Sequence, residues 1–595
     1  MKKISYICIA GWSGHKSGSP AQPKFITQFQ HYLQLYHIMK KILCYSIALG
    51  GLVALSGCNG KMGQFQSEYF STNPNPLEVV GQEVPAVVTA NIPAKFFKKN
   101  AQVTITPVLV YSGTESVSTP MQLQGEKVRG NAPVVSYDNG SAFSIPVNYA
   151  YKPEMLRSEL YLDFNVQQGS KQYVLPRVKV ADGVIATATF ADAASVNPAA
   201  AKDAFEKSIQ EKYTADIKFL INQANIRPGE KNSISMNEFQ KQMRLANGDD
   251  KMIIEEVNIQ SYASPEGSLD FNARLAENRE KNTQDYLSAQ LKKDNITEFG
   301  ELTHDFTAED WAGFQELVAA SDIQDKQVIL DVLNQFKDPE IRERELRNLA
   351  TVFDALADQI LPQLRRSRIT ATVNVIGKTD AELNQCFDTD PSQLNVEELL
   401  YTATLTNDPA RQTKIYEAVI KQFPNDYRGY NNLGKVQYAQ KNYTAAAANF
   451  AKAAQLNPSS KEASMNKGLL SLLNNDYSTA NNLFSNAAGL DDLGDALGVY
   501  YLTTGDNASA VKAFGSSKTN NAALAQILTK DYASANNTLN AIANPDATTY
   551  YLMAVLGART NNESLARTNL QKAAQLNPSL AEKAKNDLEF AKFNF

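Results

Sequence analysis

The sequence predicts a multidomain chain: an N-terminal all-β sandwich, a central α/β domain carrying a helical insertion, and a C-terminal all-α solenoid. Three observations lead there. Between Leu77 and about Ala188, short β-branched and aromatic runs alternate in and out and are broken by Gly, Asn and Pro. From about Ala199, strand-like and helix-like segments follow one another. From Asn395 onwards the chain is helical in pattern and repeats itself. The length of 595 residues fits this division, since ~150 residues per domain allows three or four domains.

Ahead of these regions lies a leader unlike the rest of the chain. Residues 1–57 hold six lysines (Lys2, Lys3, Lys16, Lys24, Lys40, Lys41) and no acid. Within it, residues 39–58 run from a short basic start through an apolar stretch to small residues, the order of parts in a secretory signal. The apolar stretch Ile42–Leu55 is shorter than the ~20 residues of a spanning helix. Leu55-Ser56-Gly57-Cys58 resembles the bacterial lipobox, whose cysteine is acylated and becomes the first residue of the mature protein. The expectation is therefore an over-extended start with Met39 as true initiator, a signal peptide ending at residue 57, and a lipidated tether over residues 58–76. Buried alkyl chains contribute ~0.8 kcal/mol per CH₂ to membrane binding, which makes Cys58 an anchor and not a nucleophile. No acid follows in Asn59-Gly60-Lys61-Met62-Gly63, which points to the periplasmic face of the outer membrane.

Composition narrows the chemistry. The whole chain has 58 basic and 63 acidic residues, and without the leader the balance is 52 against 63, a net charge of −11. Such a chain has no basic surplus with which to neutralise phosphates, so nucleic acid is excluded as a partner. His15, His31 and His37 lie in the leader, leaving His304; Cys8 and Cys44 lie there too, leaving Cys58 and Cys386. A disulfide scaffold, a Cys/His metal site and a histidine-rich catalytic centre all lack their residues. The reading is non-enzymatic, with no cofactor.

In the β region, residues 77–190, strands are expected over Gln102–Tyr111, Ser141–Tyr149, Glu159–Gln167 and Gln172–Val180, a spacing that suits a sandwich. The α/β region, residues 200–380, should place a strand at Asp216–Ile221, a capped helix at Ser233–Ala246, a strand at Met252–Tyr262, a long helix at Leu269–Lys292 and a closing strand at Arg368–Ile376. A helical insertion is expected over residues 292–361.

The segment from Val257 to Leu287 contains a strand, a small-residue loop with Gly267, and a helix carrying Asn272, Leu275, Arg279, Tyr286 and Leu287. This register resembles the peptidoglycan-binding OmpA-like domain, and Ile217–Pro228 and Arg365–Thr370 resemble that family's first and last strands. Asn272 and Arg279 lie seven residues apart and so point almost the same way along the helix. A guanidinium beside an apolar stripe needs a counter-charge. An internal bridge to Glu256 or Glu266 would provide one; so would a ligand carboxylate. The resemblance implies the latter, because in the family this arginine and a loop aspartate clasp the diaminopimelate of the peptidoglycan stem peptide. That aspartate position is Ser264 here, with Glu266 two residues on as a substitute.

The C-terminal region, residues 395–595, holds a clear 34-residue unit over Tyr427–Ser460, with Leu433-Gly434, Tyr443, Ala446, Phe450, Ala453 and Pro458. Gly468, Tyr477, Ala480, Phe484 and Ala487 recur 34 residues later, and Lys-Ala-Ala-Gln-Leu-Asn-Pro occurs at both 452–458 and 572–578. These are the positions of the tetratricopeptide repeat, with small residues where helices cross and large ones in the gaps. The resemblance implies a solenoid with a concave groove, and Arg428, Asn431, Lys435 and Tyr438 fall on the groove side of the first helix.

Together these readings describe an outer-membrane lipoprotein that grips the peptidoglycan stem peptide and recruits as yet unidentified envelope proteins. The alternative is a non-catalytic subunit of an outer-membrane assembly or export machine in which the OmpA-like domain is degenerate.

Overall fold

The computed structural model describes residues 60–593 except 325 and 349; the leader and Cys58 lie outside the described residues. Two compact units emerge. One comprises the residues up to Thr187 together with those from Gly557 onwards, the other Ala188–Leu556.

In the first unit, β1 (Phe70–Asn73), β2 (Glu83–Ile92) and β7 (Ser141–Ala150) form one sheet in the order β1-β2-β7. The second sheet runs β6-β5-β3-β8-β9, from β3 (Ala101–Tyr111), β5 (Met121–Gly125), β6 (Val134–Val135), β8 (Ser158–Gln168) and β9 (Lys171–Gly183); β4 (Thr114–Val117) pairs with β3. Alternate residues are buried, as in Val84, Ala86, Val88, Ala90 and Ile92 of β2 and Leu160, Leu162, Phe164 and Val166 of β8. Phe65 stacks on Phe164 with ring centroids 4.2 Å apart. The four expected runs are β3, β7, β8 and β9. β2 was not expected, because Pro85 and its small alanines mask the alternation.

The chain's last helices, Glu563–Leu576 and Ser579–Asn586, group by their contacts with this first unit. A buried carboxylate explains the attachment. Glu589 accepts from the Thr187 hydroxyl at 2.6 Å and from Arg559 Nη2 at 2.6 Å, while Arg157 Nη2 donates to the Lys585 carbonyl at 2.6 Å.

In the second unit, β10 (Ser208–Lys218), β13 (Arg366–Ile376), β11 (Met252–Tyr262) and β12 (Glu301–Thr307) form a sheet in that order, with only β11 and β12 parallel. Helices α1 (Ile234–Asn247) and α2 (Leu269–Lys293) follow β10 and β11. The Ser233 side chain caps α1 by accepting from the Met236 N–H. Phe219, Met236, Phe239, Ile259, Leu287, Leu291, Ile369 and Val373 meet in one core. The insertion is not wholly helical. Its first part is β12, and the helices that follow enclose their own core of Phe314, Val318, Ile329, Leu333, Leu356 and Leu364.

From Asp380 to Leu556 antiparallel helices stack in pairs, beginning with a core of Leu383, Leu399, Leu400, Ile415 and Val419. In successive repeats the second helix is capped by Asn442, Asp476, Asp506 and Asp531, each accepting a backbone N–H from the first turn. The glycines explain the close crossing. A Cβ on Gly434, Gly468 or Gly498 would fall 2.6, 2.5 and 2.5 Å from the rings of Phe450, Phe484 and Phe514. Gly468→Ala is therefore expected to lower stability by about 1–3 kcal/mol, with Phe484→Leu restoring part of it. Urea unfolding followed by helical circular dichroism checks both.

Candidate functional sites

Two places in the second unit bring the sequence-selected residues together. The first is the loop between β11 and α2. Asn272 and Arg279 share a buried face of α2, as their seven-residue spacing requires. Arg279 is completely buried, yet its counter-charge is neither Glu256 nor Glu266. Its Nε donates to the Gln223 carbonyl at 3.0 Å, Nη1 to that of Tyr262 at 2.8 Å and Nη2 to that of Leu220 at 3.2 Å. The guanidinium also lies 5.1 Å from the Phe219 ring centroid. Burial, with the neighbouring Arg365 adding to it, pushes its pKa down to about 10, while Glu266 pulls the other way. The side chain thus ties the loop after β10 to the end of β11.

Glu266 is engaged elsewhere. It forms a two-pronged bridge with Arg365, at 2.8 Å from Nε and 3.0 Å from Nη2. Ser264 donates to the same carboxylate at 2.7 Å. Asn272 donates to the Gly267 carbonyl at 3.1 Å and to Glu309 at 3.3 Å. Beside this loop, Arg366 pairs with Asp310 at 2.9 Å and covers the Tyr262 ring. The four residues expected to clasp a stem peptide are gathered, but their polar atoms are directed to one another, to backbone and to the side chains of Arg365 and Glu309. His304, on β12, has its Nδ1 3.0 Å from Glu280.

The second place is the solenoid groove, and a segment of the chain lies in it. Residues 192–204, joining the β region to β10, run along helices Tyr427–Ala439, Lys461–Leu473 and Asn520–Leu528. The final residues, 196–204, contain no helix or strand. Side chains supply the backbone partners that a sheet would otherwise give. Asn432 takes both sides of one residue, accepting from the Ala201 N–H at 2.8 Å and donating to its carbonyl at 2.9 Å. Asn466 does the same for Ala199, at 2.7 and 2.8 Å. Asn521 does it for Asp192, at 2.9 Å each way. Asn431 adds a second donor to the Ala199 carbonyl at 3.0 Å, and the Tyr438 hydroxyl donates to that of Ala193 at 2.8 Å. Glu397 accepts from the Ala204 N–H at 2.6 Å and is bridged in turn to Arg428 at 2.7 Å.

Of the residues selected from the repeat pattern, Asn431 and Tyr438 thus contact this strap directly, and Arg428 does so through its Nη1, 3.5 Å from the Lys202 carbonyl. Lys435 instead lines a cavity of about 500 Å³ beside strap residues Asn197 and Pro198, across from Asp491, Asp492 and Asp495. Burial lowers its pKa, opposed by Asp492. Asn432, Asn466, Asn521 and Glu397 were missed. A signal existed for two of them: Asn432 and Asn466 each stand two residues before the crossing glycine of their repeat, 34 residues apart.

Residues 414–461 and 442–492 match the family described as tetratricopeptide repeat, and the C-terminal helical region carries such repeats. No curated protein matches the chain. Among solved structures, a tetratricopeptide repeat protein from Parabacteroides merdae is 14% identical over 35% of this chain and 91% of its own, with a TM-score of 0.28. PilF of Pseudomonas aeruginosa is 14% identical over 36% and 98%, with a TM-score of 0.27. YrrB, a repeat protein with an unusual peptide-binding site, is 22% identical over 29% and 97%, with a TM-score of 0.23.

Arg279→Met would remove a charged donor from three carbonyls, of which that of Leu220 still accepts the Gln223 N–H and the other two lose this partner. At ~1–3 kcal/mol for each unsatisfied group, the expected loss is roughly 2 kcal/mol or more. Denaturant titration measures it, with Arg279→Lys expected to recover part.

Proposed function

We propose that this chain is a non-catalytic scaffold of a bacterial envelope, anchored by lipid at Cys58 to the periplasmic face of the outer membrane, whose solenoid holds protein segments by their backbone. The observation that carries this reading is the row of asparagines in the groove. Each primary amide offers an acceptor to the N–H and a donor to the carbonyl of one residue, a pairing suited to an extended chain. That geometry supports scaffolding, because backbone recognition can hold a segment whatever its side chains.

The role of the central domain separates the two versions of this proposal. A wall tether, as the resemblance to OmpA-like domains implies, calls for a guanidinium and a carboxylate open to the stem peptide. Arg279 is committed to carbonyls and Glu266 to Arg365. These commitments favour the reading of an assembly or export subunit whose central domain positions the solenoid and does not grip the wall.

Cell fractionation tests this. The protein is expected to leave the wall when detergent removes the membrane, and Cys58→Ala is expected to shift it to the soluble periplasmic fraction. A purified full-length chain that co-sediments with peptidoglycan after detergent extraction would restore the tether; a Cys58→Ala variant that stays with the membrane would remove the anchor.

A further inference from the structure

The strap is short of side chains and rich in backbone contacts, and that combination has a meaning for the groove. Its two most deeply held residues are Ala199 and Ala201, and their side chains make no hydrogen bonds because they have none to make. Every polar contact that Asn431, Asn432 and Asn466 make to the strap is to an N–H or a carbonyl. Recognition by backbone alone does not depend on the identity of the chain that supplies it. It requires only that the segment be extended and that the residues at the two held positions be small.

The strap also leaves part of the groove open. The cavity beside Asn197 and Pro198 faces one cation, Lys435, and three acids, Asp491, Asp492 and Asp495. An uncharged Asn197 leaves that acidic excess unanswered. A basic side chain at its place would meet opposite charge from the three carboxylates, an attraction that added salt screens.

We propose that residues 192–204 are a tethered, displaceable occupant of the groove, and that the partner which displaces them is an extended protein segment with small residues at alternate held positions and a lysine or arginine facing the Asp491–Asp495 cavity. The proposal rests on the reading of the groove as a protein-binding surface and adds its regulation and the chemistry of its partner. Tethering sets the threshold. A segment joined by short linkers presents itself at an effective concentration on the order of millimolar, so a ligand with bare alanine contacts competes poorly. The basic residue supplies the contact that the strap lacks.

The test uses the full chain and a fluorescent peptide of the strap sequence, residues 190–204, followed by anisotropy. Wild-type protein is expected to bind it weakly. Ala199→Phe with Ala201→Phe, which prevents the strap from seating, should raise affinity for the peptide at least about tenfold by removing the tethered competitor. Adding Asn432→Ala and Asn466→Ala should abolish that gain, and a peptide carrying Asn197→Lys should bind several-fold tighter than the unaltered one. Should the phenylalanine variant fail to fold, hydrogen exchange on unaltered protein decides. The Ala199 and Ala201 amides should exchange faster as the Asn197→Lys peptide is added. Strap amides that stay protected at saturating peptide overturn the proposal. If those amides stay protected while the opened variant binds peptide in an asparagine-dependent way, the strap is permanent and the protein-binding reading alone stands. If the folded, opened variant binds no peptide, both fall.

Discussion

A buried peptide unit must find partners for its N–H and its carbonyl, and leaving either unpaired costs as much as a lost hydrogen bond. The second unit depends on how that demand is met for residues 192–204. After a short 3-10 turn at Ala193–Ser195 they run along a helical groove without regular structure, where no strand stands beside them and the helices have already used their own backbone. Only side chains remain, and Asn is the one neutral residue short enough and two-sided enough to answer a peptide unit at close range. The three residues Asn432, Asn466 and Asn521 therefore do for the strap what a neighbouring strand does in a sheet.

The same demand explains the buried arginine. Arg279 sits where a carboxylate partner was expected, and three main-chain carbonyls take that place. Two of those carbonyls, Leu220 and Gln223, lie in the loop after β10 outside any helix or strand, and the third ends β11, so the cation and the irregular backbone solve each other's problem. Glu266 is thereby left to Arg365, and the loop before α2 becomes a closed network of side chains in place of an open cleft.

Period and spacing made much of this legible in the sequence. The 34-residue recurrence of Gly, Tyr, Ala and Phe placed the solenoid and its groove face because each position answers to a close helix crossing. The alternation in Met252–Tyr262 and the Ser233 cap marked β11 and the start of α1 to within a residue. What stayed hidden were pairings between distant segments. Nothing local in Asn197-Pro-Ala-Ala-Ala201 says that it lies against residues more than two hundred positions later, and an alanine-rich stretch reads as linker. Arg279 was chosen correctly as a buried cation, but the choice between acid, ligand and carbonyl depends on the path of residues 219–225, which periodicity does not give.

The attachment of Glu589 to Thr187 and Arg559 has a consequence for how the chain comes to be folded. The first unit begins at the N-terminal end of the described chain but is completed by residues that are synthesised after the whole of the second unit. A domain made of contiguous residues can close while the remainder is still being made. Here the residues of the first unit that receive those later helices stay uncovered until the whole of the central domain and the repeats has been delivered.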